Sequence, residues 1–353
     1  MTIVFAVLLF SLLIFVHELG HFVAAKLSGV QVNEFAIFMG PAIFKKQIGE
    51  TLYSIRCIPI GGYCAMEGED EASENPRSFG AAAWWKRLII LIAGSFMNFV
   101  AGLLIMLIVT FPAQQIIVPV IESFASFSTV NGENGLQVGD EILEVDGEKI
   151  YVQSDFSMIL SLNPGDTHDL VVNRRGQKVR LDNFLMEKHE VKDEAGNTNM
   201  LYGMNFRVTD ADVPAKLSYA WNSTLNTVRT VRLSLQMLLT GRAGLQDMTG
   251  PVGIVQMMSD SASQAETSLD ATLNMLFFGG FIAINLAVMN MLPIPALDGG
   301  RVVALLLTVA IEAVTGKKIN PKYEGYIHGA GMVLLLGFMA VILFKDIFVI
   351  IKG

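Results

Sequence analysis

Four stretches of this chain contain no Asp, Glu, Lys or Arg: Met1 to His17, Leu88 to Ile121, Ala271 to Leu297 and Ile327 to Phe344. A helix needs about 20 mostly apolar residues, each rising 1.5 Å, to cross the hydrocarbon of a bilayer. The runs therefore predict membrane spans at 2–27, 88–111, 272–313 and 327–349. Pro293 and Pro295 interrupt the third, which predicts a helix, an irregular turn and a second helix. Backbone that leaves the helix at membrane depth must be satisfied by protein or by a water-filled cavity. The break is thus a candidate site. A cleaved signal peptide is the other reading of the first run. It lacks a basic leader and continues through His17, Glu18 and His21 to Lys26 without a small-residue cleavage site.

Between the second and third spans the chain has ordinary polarity. Charged residues make up only 16% of the whole, against about 25% in an ordinary soluble domain, so this average conceals two regimes. Residues Gly135 to Ile150 alternate apolar and polar positions and carry the turn pair Asp146-Gly147, a hairpin signal. Further strands are expected at Gln115–Ile121, Leu170–Arg174, Lys178–Leu181 and Leu201–Val208, with a turn at Asn163–Asp166 and a short helix at Asp155–Leu162. The fold class that follows is a multi-pass α-helical membrane protein with four spans and an inserted α+β domain. Its expected parts are 1–111, 112–208, 209–270 and 271–353. In the third part Leu217, Trp221, Thr224, Val228, Val231, Leu235 and Leu238 recur every three or four residues. They predict an amphipathic helix over 214–240, lying in the membrane interface or packed on the inserted domain.

Twenty-five Lys and Arg against 33 Asp and Glu leave no basic excess, which excludes a nucleic-acid partner. The two cysteines, Cys57 and Cys64, are too few for a disulfide framework. Lys45, Lys46, Lys86, Arg87, Lys317, Lys318 and Lys322 cluster near span ends in the loops 28–87 and 314–326. The positive-inside rule then puts those loops in the cytoplasm and the α+β domain outside. Within the first loop Val30–Phe35 and Leu52–Ile58 alternate like strands, so a β-hairpin is expected. An exposed edge there would accept an extended peptide; the other reading is a hairpin that only packs, with simple turns at 40–41 and 59–62.

The chemistry is concentrated in His17-Glu18-Leu19-Gly20-His21. Histidines four apart share a helix face and suit one zinc ion, and the intervening glutamate can serve as base for a water activated there. The competing reading, two surface histidines on an amphipathic helix, conflicts with flanks as apolar as Ile14-Phe15-Val16 and Phe22-Val23-Ala24-Ala25. A charge at the centre of a membrane helix costs about 2.5–3.5 kcal/mol, whereas zinc binding releases about 10–16 kcal/mol in structural peptides. A bound metal can therefore offset these residues. For a third ligand, His168 and His189 fall in the outer domain and His328 stands near a span end. Asp298, after the proline break, is the better candidate, with an N-cap role as its alternative. Asn290 is a second buried polar group there, and a hydrogen bond between helices is its alternative.

His-Glu-Leu-Gly-His in one span with Asn290 and Leu297-Asp298-Gly299-Gly300 in a later one resembles the site-2 protease family of intramembrane zinc metalloproteases. Gly135–Ile150 resembles part of a PDZ domain, and its place between the second and third spans resembles the bacterial RseP-type branch with one such domain. Gly61-Gly62-Tyr63 and Gly250-Pro251-Val252-Gly253-Ile254 extend the likeness over nearly the whole chain. The resemblance implies Zn2+ held by His17, His21 and Asp298, Glu18 as catalytic base, and Asn290 lining the site beside substrate. It also implies a bacterial inner (cytoplasmic) membrane location with the active site toward the cytoplasmic side. Substrates would be single-span membrane proteins such as anti-sigma factors, or remnant signal peptides. Two departures stand out: Gly94-Ser95-Phe96-Met97-Asn98 lacks the usual Gly-Pro, and Ser128–Gly135 lacks the usual Ser-Pro-Ala. The rival classes are a membrane metal-ion transporter, which calls for polar groups along several spans, and a PDZ-bearing scaffold, which has no use for Glu18.

Overall fold

A computed structural model describes residues 2–69, 71, 73–132, 134–163, 165–192, 198–244, 247–316 and 322–352, with side chains at 60, 192, 198, 199, 322–324 and 349–352 left aside. Lys317 and Lys318, and Pro164 of the expected turn, lie outside the described residues, as does the Lys322 side chain. The chain divides into two compact units, Met1–Val109 with Thr227–Gly353, and Thr110–Asn226.

In the first unit, α1 (Thr2–Ser28) precedes the long strands β1 (Val32–Ile48) and β2 (Thr51–Met66), and α2 (Trp84–Thr110) follows. Among the described residues four helices are long and apolar enough to cross a membrane: α1, α2, Ser268–Asn290 and Gly325–Phe348. The expected broken span is two helices, α6 (Ser268–Asn290) and α7 (Asp298–Thr315), and of these only α6 is a candidate span, α7 carrying the charges of Asp298, Arg301 and Glu312. α8 (Lys322–Lys352) closes the chain, and α5 (Pro251–Ser263), with Pro251 in its first turn, was not foreseen. α1 and α2 approach closely at Gly20, where a Cβ would stand 2.8 Å from the Ala93 carbonyl carbon and 2.9 Å from Met97 Cγ. Small residues at such crossings let helix backbones meet in the absence of a hydrophobic drive.

The expected hairpin is a more folded object. Residues 34–37 pair on one side with 62–65 and on the other with 52–55, which in turn pair with 44–47. The spatial order is therefore 42–48, 51–56, 32–37, 62–66. Each long strand doubles back where the chain bends, β1 at Gly40 (φ +83°) and β2 at Gly61 (φ +83°). Val30–Phe35 and Leu52–Ile58, the strands expected to offer an edge, are interior. The free edges are 42–48 and 62–66. The second lies along α1: a Cβ on Gly62 would be 3.6 Å from Glu18 Cγ and 3.9 Å from Ile14 Cγ2, and just before it Ser11 Oγ approaches Pro59 O at 3.1 Å. Phe15 and Phe22 of α1 pack on Phe35, with ring centroids 5.9 and 5.0 Å apart.

The second unit holds a sheet of order β10-β3-β4-β6-β7, with β5 on β4. Its strands are β3 (Gln115–Phe124), β4 (Glu141–Val145), β5 (Glu148–Lys149), β6 (Thr167–Arg174), β7 (Gln177–Leu185) and β10 (Met204–Asp210). A short hairpin, β8 (His189–Lys192) with β9 (Thr198–Leu201), precedes β10. The expected strand 201–208 is split at Gly203 (φ +71°) between β9 and β10. Asp146 and Gly147, both at positive φ, make the β4–β5 turn that the sequence signalled. The helix α3 (Gln153–Leu162) sets Phe156, Ile159 and Leu160 against Ile121, Ile142, Val145, Leu170 and Val172. α4 (Val213–Leu239) forms where periodicity put it, but its buried stripe is Ala220, Thr224, Thr227 and Val231. Leu217 and Trp221, on the expected apolar face, are exposed, as the interfacial reading allows and the packed one does not.

His168 is 2% exposed, and its Nδ1 lies 2.8 Å from Asp146 Oδ2. Asp146 also accepts from Asn163 Nδ2 and the Asp169 N–H at 3.0 and 2.9 Å. Burial works against its charge, yet these donors hold its carboxyl below the usual carboxylate range. Asp146→Ala should cost about 1–3 kcal/mol, since it strands buried donors. A carboxyl with a lowered folded pKa contributes its full stability above the unfolded value of about 3.9 and loses it as pH falls through the folded value. Denaturant unfolding followed against pH should therefore show the variant and wild type converging only in strong acid; equal stability at neutral pH would contradict this.

Candidate metal centre

α1 is uninterrupted from Thr2 to Ser28, so His17 and His21 project from one face, with ring centroids 4.8 Å apart. Their Nε2 atoms are 3.2 Å apart. Asp298 Oδ2 lies 3.1 Å from His17 Nε2 and 3.4 Å from His21 Nε2. Both histidines are buried, and the three ligand atoms fall within 4.8 Å of one another. Asp298 Oδ2 is buried and makes no well-formed hydrogen bond although both rings approach it. Two imidazole nitrogens and a carboxylate oxygen converging in this way are the donor set of a catalytic zinc with an open position. The residues present fit that ion.

Asp298 is the first residue of α7, and the capping position belongs to Leu297, which makes no side-chain cap bond. The N-cap reading of Asp298 is thereby excluded: its carboxylate points to the histidines rather than to the helix N–H groups. Gly299 and Gly300 follow because a Cβ on either would collide with the carbonyls of Met291 and Ile294. The helix thus starts pressed against the turn that delivers it. Among the described residues His328 does not join the group that could hold a metal; its Nδ1 accepts the Ala296 N–H over 3.1 Å. His168 and His189 belong to the other unit, the latter 3.2 Å from Thr129 Oγ1.

α2 supplies the surroundings of the two rings, a contribution that no motif in the sequence marks. The Ile90 carbonyl oxygen lies 2.8 Å from His21 Nδ1. An Nδ1–H donated there leaves the Nε2 lone pair facing His17 and Asp298. Four residues on, Gly94 provides room: a Cβ would sit 2.8 Å from His17 Cε1 and closer still to His21 Nε2. Four further on, the Asn98 amide nitrogen stands 3.4 Å from His17 Nδ1, while its Oδ1 is buried without a partner. Oxygen and nitrogen of an amide are exchanged by a half-turn, and that half-turn would let Asn98 Oδ1 accept from His17 Nδ1–H. The detectable signal was the spacing Gly94 to Asn98, which repeats that of His17 to His21. A backbone carbonyl such as Ile90's leaves none.

Glu18, next to His17, is half-buried and turned toward the Cys64 N–H of the 62–66 edge. It interacts electrostatically with His21, His17 and Asp298. Asn290 ends α6 before the proline turn, half-buried, and among the described residues makes no hydrogen bond with the triad. The structure therefore gathers His17, His21 and Asp298, sets Glu18 beside them, and leaves Asn290 at the end of the preceding helix.

The model of peptidase family M50 matches residues 5–338. The chain belongs to this family. A Clostridium perfringens protein assigned provisionally as a zinc metalloprotease is 36% identical over 354 residues, covering 98% of each chain. The regulator of sigma-W protease RasP of Bacillus subtilis is 28% identical over 430 residues, and the zinc metalloprotease RasP of Oceanobacillus iheyensis is 28% identical over 432. Both alignments cover 98% of this chain and 98% of the relative. M50 peptidases are the site-2 proteases, zinc metalloproteases of membranes, and the four apolar helices agree with that setting.

Gly94→Ala should raise the zinc dissociation constant at least about tenfold by forcing the two rings apart. Gly337→Ala, where a Cβ meets nothing within 4 Å, should leave it unchanged. Competition against a chromogenic chelator measures both. Equal affinity in the two variants would contradict the close approach of α2 to the histidines.

Proposed function

We propose that this M50 peptidase cleaves single-span membrane proteins within their membrane segment, with His17, His21 and Asp298 holding zinc and Glu18 as catalytic base. The observation that carries this reading is the placement of Glu18, between the ligand triad and the free 62–66 edge. A zinc ion held there supplies Lewis acidity, which brings the pKa of a water from about 15.7 to about 7. Glu18 takes one proton onto its carboxylate as the water oxygen bonds to the scissile carbonyl carbon. The same proton passes to the amide nitrogen as the C–N bond breaks, leaving an amine and a carboxylic acid. Asn290 is assigned to the substrate side of the site.

A helical substrate has its carbonyls bonded within the helix, so it must unwind before attack. The 62–66 edge offers the unwound segment backbone partners by strand addition, beside Glu18. The inserted domain at 112–208 is read as PDZ-like. It screens substrates by the bulk of their outer portion or by a newly exposed carboxyl terminus. The lysines near span ends put the β1–β2 sheet and the site toward the cytoplasm and this domain outside. The name of the Bacillus subtilis relative, a regulator of sigma-W, favours anti-sigma factors over remnant signal peptides as substrates.

The decisive experiment is cleavage of a purified single-span peptide by zinc-loaded protein and its Glu18→Gln variant. The variant should retain zinc and lose about 100-fold or more in rate, the scale of general base catalysis. A photo-crosslinker at Tyr63 of that variant should capture the uncleaved segment, and one at Phe44 on the opposite edge should not. Undiminished cleavage would sink the role of Glu18. Zinc retained without cleavage in the wild type would point to a transporter or scaffold, and equal capture at Phe44 would remove the edge assignment.

A further inference from the structure

We propose that His328 in the last helix is a positioning residue for Asp298, fixing the turn from which that carboxylate enters the site. Its imidazole is 9% exposed, and Nδ1 accepts the backbone N–H of Ala296 over 3.1 Å. An accepting Nδ1 carries no proton, so the ring is held in the tautomer protonated at Nε2. Ala296 stands two residues before Asp298.

The turn needs such a hold. Ala296 has φ of +81°, the left-handed region in which a residue with a Cβ is strained and persists only where its surroundings over-determine it. Hydrogen bonds inside the turn are short-range, Ile294 N to Leu292 O at 2.7 Å and Leu297 N to Ile294 O at 3.1 Å. The Ala296 N–H instead leaves the turn for His328. One helical turn later Gly331 brings α8 against the same segment, where a Cβ would be 2.8 Å from the Pro295 carbonyl carbon. From the other side, Gly299 and Gly300 press α7 onto Met291 and Ile294. The turn is thus clamped between α7 and α8, and His328 is the clamp's hydrogen bond. Asp298 meets the histidines only if this strained turn is kept.

This inference rests on Asp298 being a zinc ligand, and the test separates the two. Zinc dissociation constants are measured by chelator competition for wild type, His17→Ala, His328→Ala, His328→Asn and the double variant His328→Ala with Ala296→Gly. Thermal unfolding of the metal-free forms is followed alongside. His328→Ala should weaken zinc binding roughly tenfold, at the lower end of the range for groups that orient ligands. His328→Asn, whose Oδ1 can accept the same N–H, should recover most of it. So should Ala296→Gly in the double variant, because glycine adopts positive φ without strain. A purely structural role for His328 would lower thermal stability without this pattern of rescue. Affinity within twofold of wild type in His328→Ala, or equal losses in all three His328 variants, would overturn the inference while leaving the metal site standing. Unchanged zinc binding in His17→Ala would overturn the metal site and the inference with it.

Discussion

Two imidazoles and a carboxylate brought together among apolar helices are the constraint on which the surrounding structure depends. Unpaired polar groups in such a medium are expensive, so everything next to them must serve their convergence. Gly20 lets α1 and α2 meet, and Gly94 leaves space for the rings. The Ile90 carbonyl directs His21 Nε2 toward the common point. The proline turn and its two following glycines deliver Asp298 from a third helix. Each of these residues is explained by where the three ligand atoms must stand, and none by helix propensity.

The arrangement also accounts for why a soluble-looking sheet sits beside a membrane helix. Peptide hydrolysis needs an extended backbone, and a membrane-spanning substrate is helical. The doubled β1–β2 sheet ends in an edge strand that meets α1 at Ile14 and Glu18. That places the edge next to Glu18, whose carboxylate faces the Cys64 N–H. Glu34, Arg56 and Ser54 stiffen the sheet through a shared network, with Arg56 Nη2 and Ser54 Oγ donating to Glu34 Oε1 at 2.7 and 2.6 Å.

What was legible in the sequence was whatever leaves a periodic or compositional mark. Uncharged runs gave four apolar helices, and the pattern of His17 and His21 gave a shared face. Pro293 and Pro295 gave the break, and Asp146-Gly147 gave a turn. The sheet's doubling was missed because Val30–Phe35 and Leu52–Ile58 alternate in the same way whether they are paired on one side or on both. The buried stripe of α4 was not legible because Ala220 and Thr227 carry little hydrophobic weight beside Leu217 and Trp221, which are exposed. The roles of Ile90, Asn98 and His328 depend on contacts with residues 69, 81 and 32 positions away, and no local pattern encodes those.

On the proposed reading, His17, His21 and Asp298 together bind one zinc ion. Zinc K-edge X-ray absorption of the purified protein tests it directly. Such a site should show one zinc per chain in a shell of nitrogen and oxygen at about 2.0–2.2 Å, with the imidazole scattering of two histidines and no sulfur. Multiple-scattering intensity should fall by half in His21→Ala. A sulfur shell at about 2.3 Å, which would implicate Cys57 or Cys64, or an imidazole signal indifferent to His21, would contradict it.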